Sequence, residues 1–90
     1  MTQNQKYLRA TGPVGAEIED SYVILDVDTA KYYAFNPTAK DVWDLLETPK
    51  TLGEVSQFLL RQYDVEADVC RKAVEDIVGQ LRASGLVSAV

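Results

Sequence analysis

The chain contains no histidine and only one cysteine, Cys70. The first absence removes the commonest general base near neutral pH and the commonest metal ligand. The second excludes an intramolecular disulfide and a thiolate-built zinc site, so nothing points to an oxidising compartment. A glycine-rich phosphate loop, a Gly-x-Ser-x-Gly elbow and a His-Glu-x-x-His motif are also missing. Asp26 and Asp28 have D-x-D spacing but lack the later ligands and the glycine of a calcium loop, and they read as a solvated turn. No apolar run reaches the length of a bilayer span, and Met1–Lys6 is polar where a signal peptide would be apolar. Together these absences predict a cytoplasmic protein that is not an enzyme, takes no cofactor or metal, and works by binding.

Positive charge is scarce as well. Nine Lys and Arg against 14 Asp and Glu give a net charge of -5. Nucleic-acid binding draws most of its affinity from neutralised phosphates, so this balance disfavours it, and the same sign disfavours anionic membrane surfaces. What is present is ordinary for a globular chain: 47% hydrophobic and 26% charged residues. Ninety residues suffice for one core and no more.

Residues 1–13 are polar and end in Gly12-Pro13, which reads as a flexible N-terminal segment ahead of a single domain over 14–90. From Val14 to Phe35 the hydrophobic period is close to two, interrupted by turn residues at 19–21 and 28–30. This predicts three short strands in an antiparallel meander, the third being Lys31–Phe35. Asn36-Pro37 then opens a helix, with Asn36 able to cap and Pro37 at the first helical position; Pro49 is expected to stop it. Thr51 and Glu54 form a capping-box pattern for a second helix, whose expected buried stripe is Leu52, Val55, Phe58, Leu59 and Tyr63. A third, longer helix is expected from about Glu66 to Ser84, ending at Gly85, with Leu86-Val87 as a short strand after it. The fold class read from this order is α+β: a three-stranded antiparallel sheet followed by a three-helix winged helix-turn-helix.

That shape raises the question of DNA. A recognition helix should present basic and amide groups, but the third helix offers Glu66, Asp68, Glu75 and Asp76 against Arg71, Lys72 and Arg82. A winged-helix DNA-binding regulator is therefore the weaker reading. The stronger one begins at the third strand, whose outer edge is a template for pairing. Lys31, Tyr32, Tyr33, Ala34 and Phe35 contain no proline or glycine, and an extended peptide could add to them as a further strand. Tyr33 is expected to share the core side with Phe35, leaving Tyr32 on the outer face. Trp43 reads as a core anchor and Cys70 as a small buried hydrophobe. Helical spacing places Cys70, Val74, Ile77 and Leu81 towards the core, flanked by Val69, Ala73, Asp76 and Gln80. Those flanking positions either widen the core stripe or wall a groove beside the third strand.

The run Tyr22-Val-Ile-Leu-Asp26, Lys31-Tyr-Tyr-Ala-Phe-Asn36, Ala39 and Val42-Trp-Asp-Leu-Leu46 resembles the PqqD-like family. Thr51 with Val55, Tyr63-Asp64, and Val74, Ile77, Leu81 and Gly85-Leu-Val87 extend the resemblance over roughly residues 14–88. Members are precursor-recognition elements of ribosomally made, modified peptides. The resemblance implies that a leader peptide adds to Lys31–Phe35 and lies against Val69, Ala73, Asp76, Ile77 and Gln80. A free-standing domain of this size is most similar to the recognition protein of lasso-peptide biosynthesis. That implies as partners a precursor leader, a leader peptidase and an ATP-dependent cyclase. The alternative within the family is a chaperone presenting a precursor to a radical SAM enzyme.

Overall fold

The computed structural model describes residues 4–90. Its elements are, in order, β1 (Lys6–Arg9), β2 (Val14–Ile18), β3 (Ser21–Asp26), β4 (Lys31–Phe35), α1 (Pro37–Leu45), β5 (Lys50–Thr51), α2 (Leu52–Gln62), α3 (Ala67–Ala83) and β6 (Val87–Ala89). The fold is α+β, with the expected antiparallel meander in the order β2-β3-β4 and three helices after it. A second three-stranded sheet, β5-β1-β6, was not expected.

The meander forms for local reasons. Ile18 pairs with Ser21 across a two-residue turn at Glu19-Asp20, and Glu19 adopts the left-handed region at φ 56°. Asp26 pairs with Lys31 around a longer loop in which Ala30 takes φ 59°. The Asp26 carboxylate accepts a bond from the Asp28 amide at 3.1 Å, so the D-x-D pair makes a local turn.

Helix boundaries follow their caps. The Asn36 side chain accepts from the Ala39 amide at 2.8 Å, with Pro37 opening α1. The helix ends at Leu45, before Pro49, and the Lys50 ammonium donates to the freed Leu45 carbonyl at 2.8 Å. At α2 the capping box is complete: Glu54 N–H to the Thr51 hydroxyl at 3.1 Å, and Thr51 N–H to the Glu54 carboxylate at 2.8 Å. The stop of α3 is a Schellman turn, with Gly85 at φ 76° and the amides of Leu86 and Gly85 bonded to the carbonyls of Leu81 and Arg82.

The core joins the inner face of the meander to the helices and the second sheet. Ile24, Val42, Leu46, Val55, Val74 and Leu86 have no more than a trace of exposure. Trp43 anchors it as expected, meeting Phe35 edge-on at 5.9 Å, while Cys70 is buried. The buried stripes differ from expectation in two places. On α2, Phe58 is 44% exposed and Ser56 takes the buried position instead. On α3, Val78 occupies the core and Ile77 is only half-buried. The difference on α3 comes from the angular width of the stripe: Ile77 and Val78 are adjacent near its border, and the facing partners choose between them.

The flexible segment expected over 1–13 is the larger correction. Residues 1–3 lie outside the described part, but Lys6–Arg9 is the central strand of the second sheet. Tyr7 is buried, and the Arg9 and Ala10 amides bond to the carbonyls of Leu46 and Leu86 at 2.9 and 2.7 Å. The Arg9 guanidinium lies 5.2 Å from the centre of the Trp43 ring and donates to the Trp43 carbonyl. Such a short strand carries too few alternations to announce itself, and its partners come from distant parts of the chain.

Candidate functional site

β4 is held against α1 and the helix layer by alternate side chains. Tyr33 and Phe35 pack on the core, while Tyr32 is 72% exposed on the opposite face and Ala34 is also exposed. The register Tyr22–Phe35, Val23–Ala34, Ile24–Tyr33 and Leu25–Tyr32 pairs β4 with β3 on one side only. Among the described residues no strand pairs with its other edge, and its alternate amides and carbonyls there are free to meet an incoming strand.

That edge borders a hollow of about 440 Å³ between β4 and the C-terminal half of α3. Tyr32 to Asn36 form one bank, and Ile77, Gln80, Leu81 and Ser84 the other. Ala39 and Leu86 complete the lining. The groove therefore offers apolar surface from Phe35, Ala39, Ile77, Leu81 and Leu86, with amide and hydroxyl groups from Asn36, Gln80 and Ser84 around it. No group on this list is a carboxylate or an ammonium. The chemistry available is hydrogen bonding to a main chain and burial of apolar side chains.

Of the residues singled out in the sequence, Tyr32, Tyr33, Ala34, Phe35, Ile77 and Gln80 come together around this hollow. Lys31 stands at the far end of β4 beside Asp26, outside the lining. Val69, Ala73 and Asp76 are not in it either. Ala73 lies one turn before Ile77 on the same helical face and is half-buried; Val69 and Asp76 are exposed. The structure adds Leu81, Ser84, Asn36, Ala39 and Leu86. Leu81 and Ser84 follow Ile77 at helical intervals, so placing Ile77 on the groove flank would have found them. Leu86 arrives only because the Schellman turn folds the chain back.

Two solved structures share this fold with a TM-score of 0.79 and 23% sequence identity. One is TbiB1 in complex with the TbiA(beta) leader peptide, matched over 90% of this chain and 94% of that one. The other is lasso peptide synthetase B1 complexed with the leader peptide, matched over 91% and 96%. No curated protein matches the sequence. The family model for coenzyme PQQ synthesis protein D (PqqD) matches residues 21–87, a span that contains β3, β4 and all three helices. By that match the chain belongs to the PqqD family.

Proposed function

We propose that this protein is a non-catalytic carrier that captures the leader of a ribosomally made precursor peptide and delivers it to the leader peptidase of lasso-peptide biosynthesis. The observation that carries the proposal is the edge of β4, unpaired among the described residues, standing beside the groove against α3. The leader enters as an antiparallel strand on Tyr32–Phe35, its main chain bonded to the edge and alternate side chains lowered towards Ile77, Leu81 and Leu86. A free leader is disordered, so strand pairing and apolar burial have to exceed the cost of ordering it. Once held, its precursor is presented at high effective concentration to the partner enzyme.

The helix pair α2–α3 with the strands beside it completes a winged helix-turn-helix, here used for a peptide and not for DNA. The exposed side of α3 supports that choice: Glu66 at its cap and Asp68, Glu75 and Asp76 along it stand against Arg71, Lys72 and Arg82, so it carries no excess of positive charge for phosphate. The lasso-peptide assignment draws on the leader complexes among the structural neighbours. The family description points to the alternative, a precursor chaperone in quinone-cofactor synthesis serving a radical SAM enzyme. The test is titration with the leader peptides encoded beside the gene, followed by backbone amide NMR. Saturable binding with shifts concentrated in β4 and the C-terminal half of α3 is the expected result. Absence of leader binding together with salt-sensitive binding to duplex DNA would replace this reading with a regulator.

A further inference from the structure

A second hollow of about 440 Å³ lies between α2 and α3 and shares no residue with the leader groove. Gly53, Ser56, Gln57 and Leu60 wall it from α2 at helical intervals, with Leu52 at the start of that helix. Ala67, Arg71 and Glu75 face them from one stripe of α3. The Cys70 thiol donates to the Ser56 carbonyl at 3.6 Å, which fixes this turn of α2 against the stretch of α3 that carries Arg71.

The fold alone does not account for the walls of this hollow. Ser56 is 7% exposed, and its hydroxyl has no hydrogen-bond partner among the described residues. A buried group left in that state destabilises the free protein, and an acceptor brought into the hollow would relieve it. Gly53, in the first turn of α2, is neither in the left-handed region nor short of space: a Cβ there would meet no side chain nearer than the Thr51 hydroxyl at 3.8 Å. Glycine weakens a helix, and its use here leaves the backbone open to close approach. The amides of Leu52 and Gly53 have no acceptor within the helix, and the Thr51 hydroxyl is taken by the amide of Glu54. Arg71 forms no ion pair among the described residues.

We propose that this hollow binds the carboxyl end of a peptide chain whose last residue is apolar. The carboxylate is held by the amides of Leu52 and Gly53, the Ser56 hydroxyl and the Arg71 guanidinium, a helix N-terminus joined by a hydroxyl and a cation. Leu52, Leu60 and Ala67 supply apolar surface for the last side chain, and Gln57 an amide for the main chain behind it. Glu75 lies in the same lining, and Glu54 is in the first turn with its carboxylate turned back to the Thr51 amide. These two acids limit the charge the site accepts: a single carboxylate is held, and a doubly charged phosphate is repelled. The site stands apart from the leader groove and does not depend on the carrier function.

The test titrates the full-length chain with N-acetyl-leucine, which has the free carboxylate, and with N-acetyl-leucinamide, which lacks it, followed by amide and arginine side-chain NMR. The acid is expected to shift Leu52, Gly53, Ser56 and the Arg71 side chain, and to bind at least about tenfold more tightly than the amide. Ser56→Ala and Arg71→Gln should each weaken the acid by about tenfold. Ser56→Ala should also raise the urea midpoint of the free protein, because it removes the unmade bond; a hydroxyl serving only structure would lower it. Each variant should keep the wild-type circular dichroism and leader affinity, which shows it folded with the other groove intact. Equal binding of acid and amide, shifts centred elsewhere, or a lowered midpoint for Ser56→Ala would overturn the proposal. So would inorganic phosphate binding as tightly as the acid, which would leave a simple anion site. Short peptides copied from the carboxyl ends of the precursor and of the leader peptidase distinguish the sources. Binding tighter than that of N-acetyl-leucine identifies the occupant, and weaker binding of both would overturn a peptide end as the ligand.

Discussion

Ala30 is held at φ 59°, in the left-handed region where a Cβ crowds the following carbonyl. Ala30→Gly is therefore expected to stabilise the protein by about 1 kcal/mol, read as a rise in the urea midpoint with unchanged slope. At Gly85, φ 76° is supplied by the residue that tolerates it, and the Schellman bonds follow. The capping box at Thr51 and Glu54 makes a second residue-scale prediction. Thr51→Ala should cost about 1 kcal/mol of stability in denaturant melts. The Thr51 amide, donating to the Glu54 carboxylate, holds that group below its ordinary value of 4.5. Because the folded value is depressed, the stabilisation is present above the ordinary value and is lost as pH falls through the folded one. The gap between the wild type and Glu54→Gln should accordingly shrink in melts carried to acid pH. Gly15 matters for a steric reason: a Cβ there would collide with the Tyr22 side chain packed over it. These features were legible in the sequence where they depend on neighbours in the chain, as with Asn36-Pro37, the Thr51–Glu54 pair and Gly85. The strain at Ala30 was not, because alanine gives no sign of a positive φ.

Among the elements, β4 carries the functional argument. Ala34→Pro removes an amide from this strand and is expected to abolish measurable leader binding while circular dichroism shows the helices retained. If Ala34 donates to β3 instead of the leader, the loss comes through a distorted edge, and amide NMR of β3 separates the two. Retained affinity in a folded variant would remove β4 from the site. Ala73→Arg tests whether the groove continues along α3 beyond the observed hollow: the arginine stands one turn before Ile77, and a leader running that far should bind at least about tenfold more weakly. The strand itself was readable from Lys31-Tyr-Tyr-Ala-Phe35, as was the division of Tyr33 from Tyr32, since alternation leaves only two choices and Phe35 selects one. The rotation of α3 was less readable. Ile77 and Val78 are adjacent and equally apolar, so their pattern is consistent with either facing the core. Packing against α1 and α2 places Val78 inside and frees Ile77 for the groove.

At the scale of the molecule, the second sheet ties the two ends of the chain together. β1 pairs with β5 at Lys6–Thr51 and Tyr7–Lys50, and with β6 at Tyr7–Ala89, Leu8–Ser88 and Arg9–Val87. Tyr7 is 7% exposed, and Tyr7→Ala should cost about 3 kcal/mol or more, measured by equilibrium unfolding. A truly flexible leader segment at this position would tolerate the change with no loss. The Tyr63 hydroxyl, donating to the Asp41 carboxylate at 2.6 Å, links the end of α2 to α1 and helps to keep the helix layer behind the groove in register. No described helix is long and apolar enough to cross a membrane.

By itself, the sequence determined the α+β order, the meander, the helix starts and the stop at Gly85, because caps, turns and periodicity act between residues a few positions apart. It also determined the edge strand and, through ordered hydrophobic spacing, the family. Tertiary structure alone decided that Lys6–Arg9 becomes a central strand, since its partners at Lys50–Thr51 and Val87–Ala89 are supplied by distant segments. It likewise decided which apolar face of the meander stays outside. Both faces carry hydrophobic residues, and only contact with the helices buries Ile24 and leaves Val14, Ile18 and Leu25 in solvent.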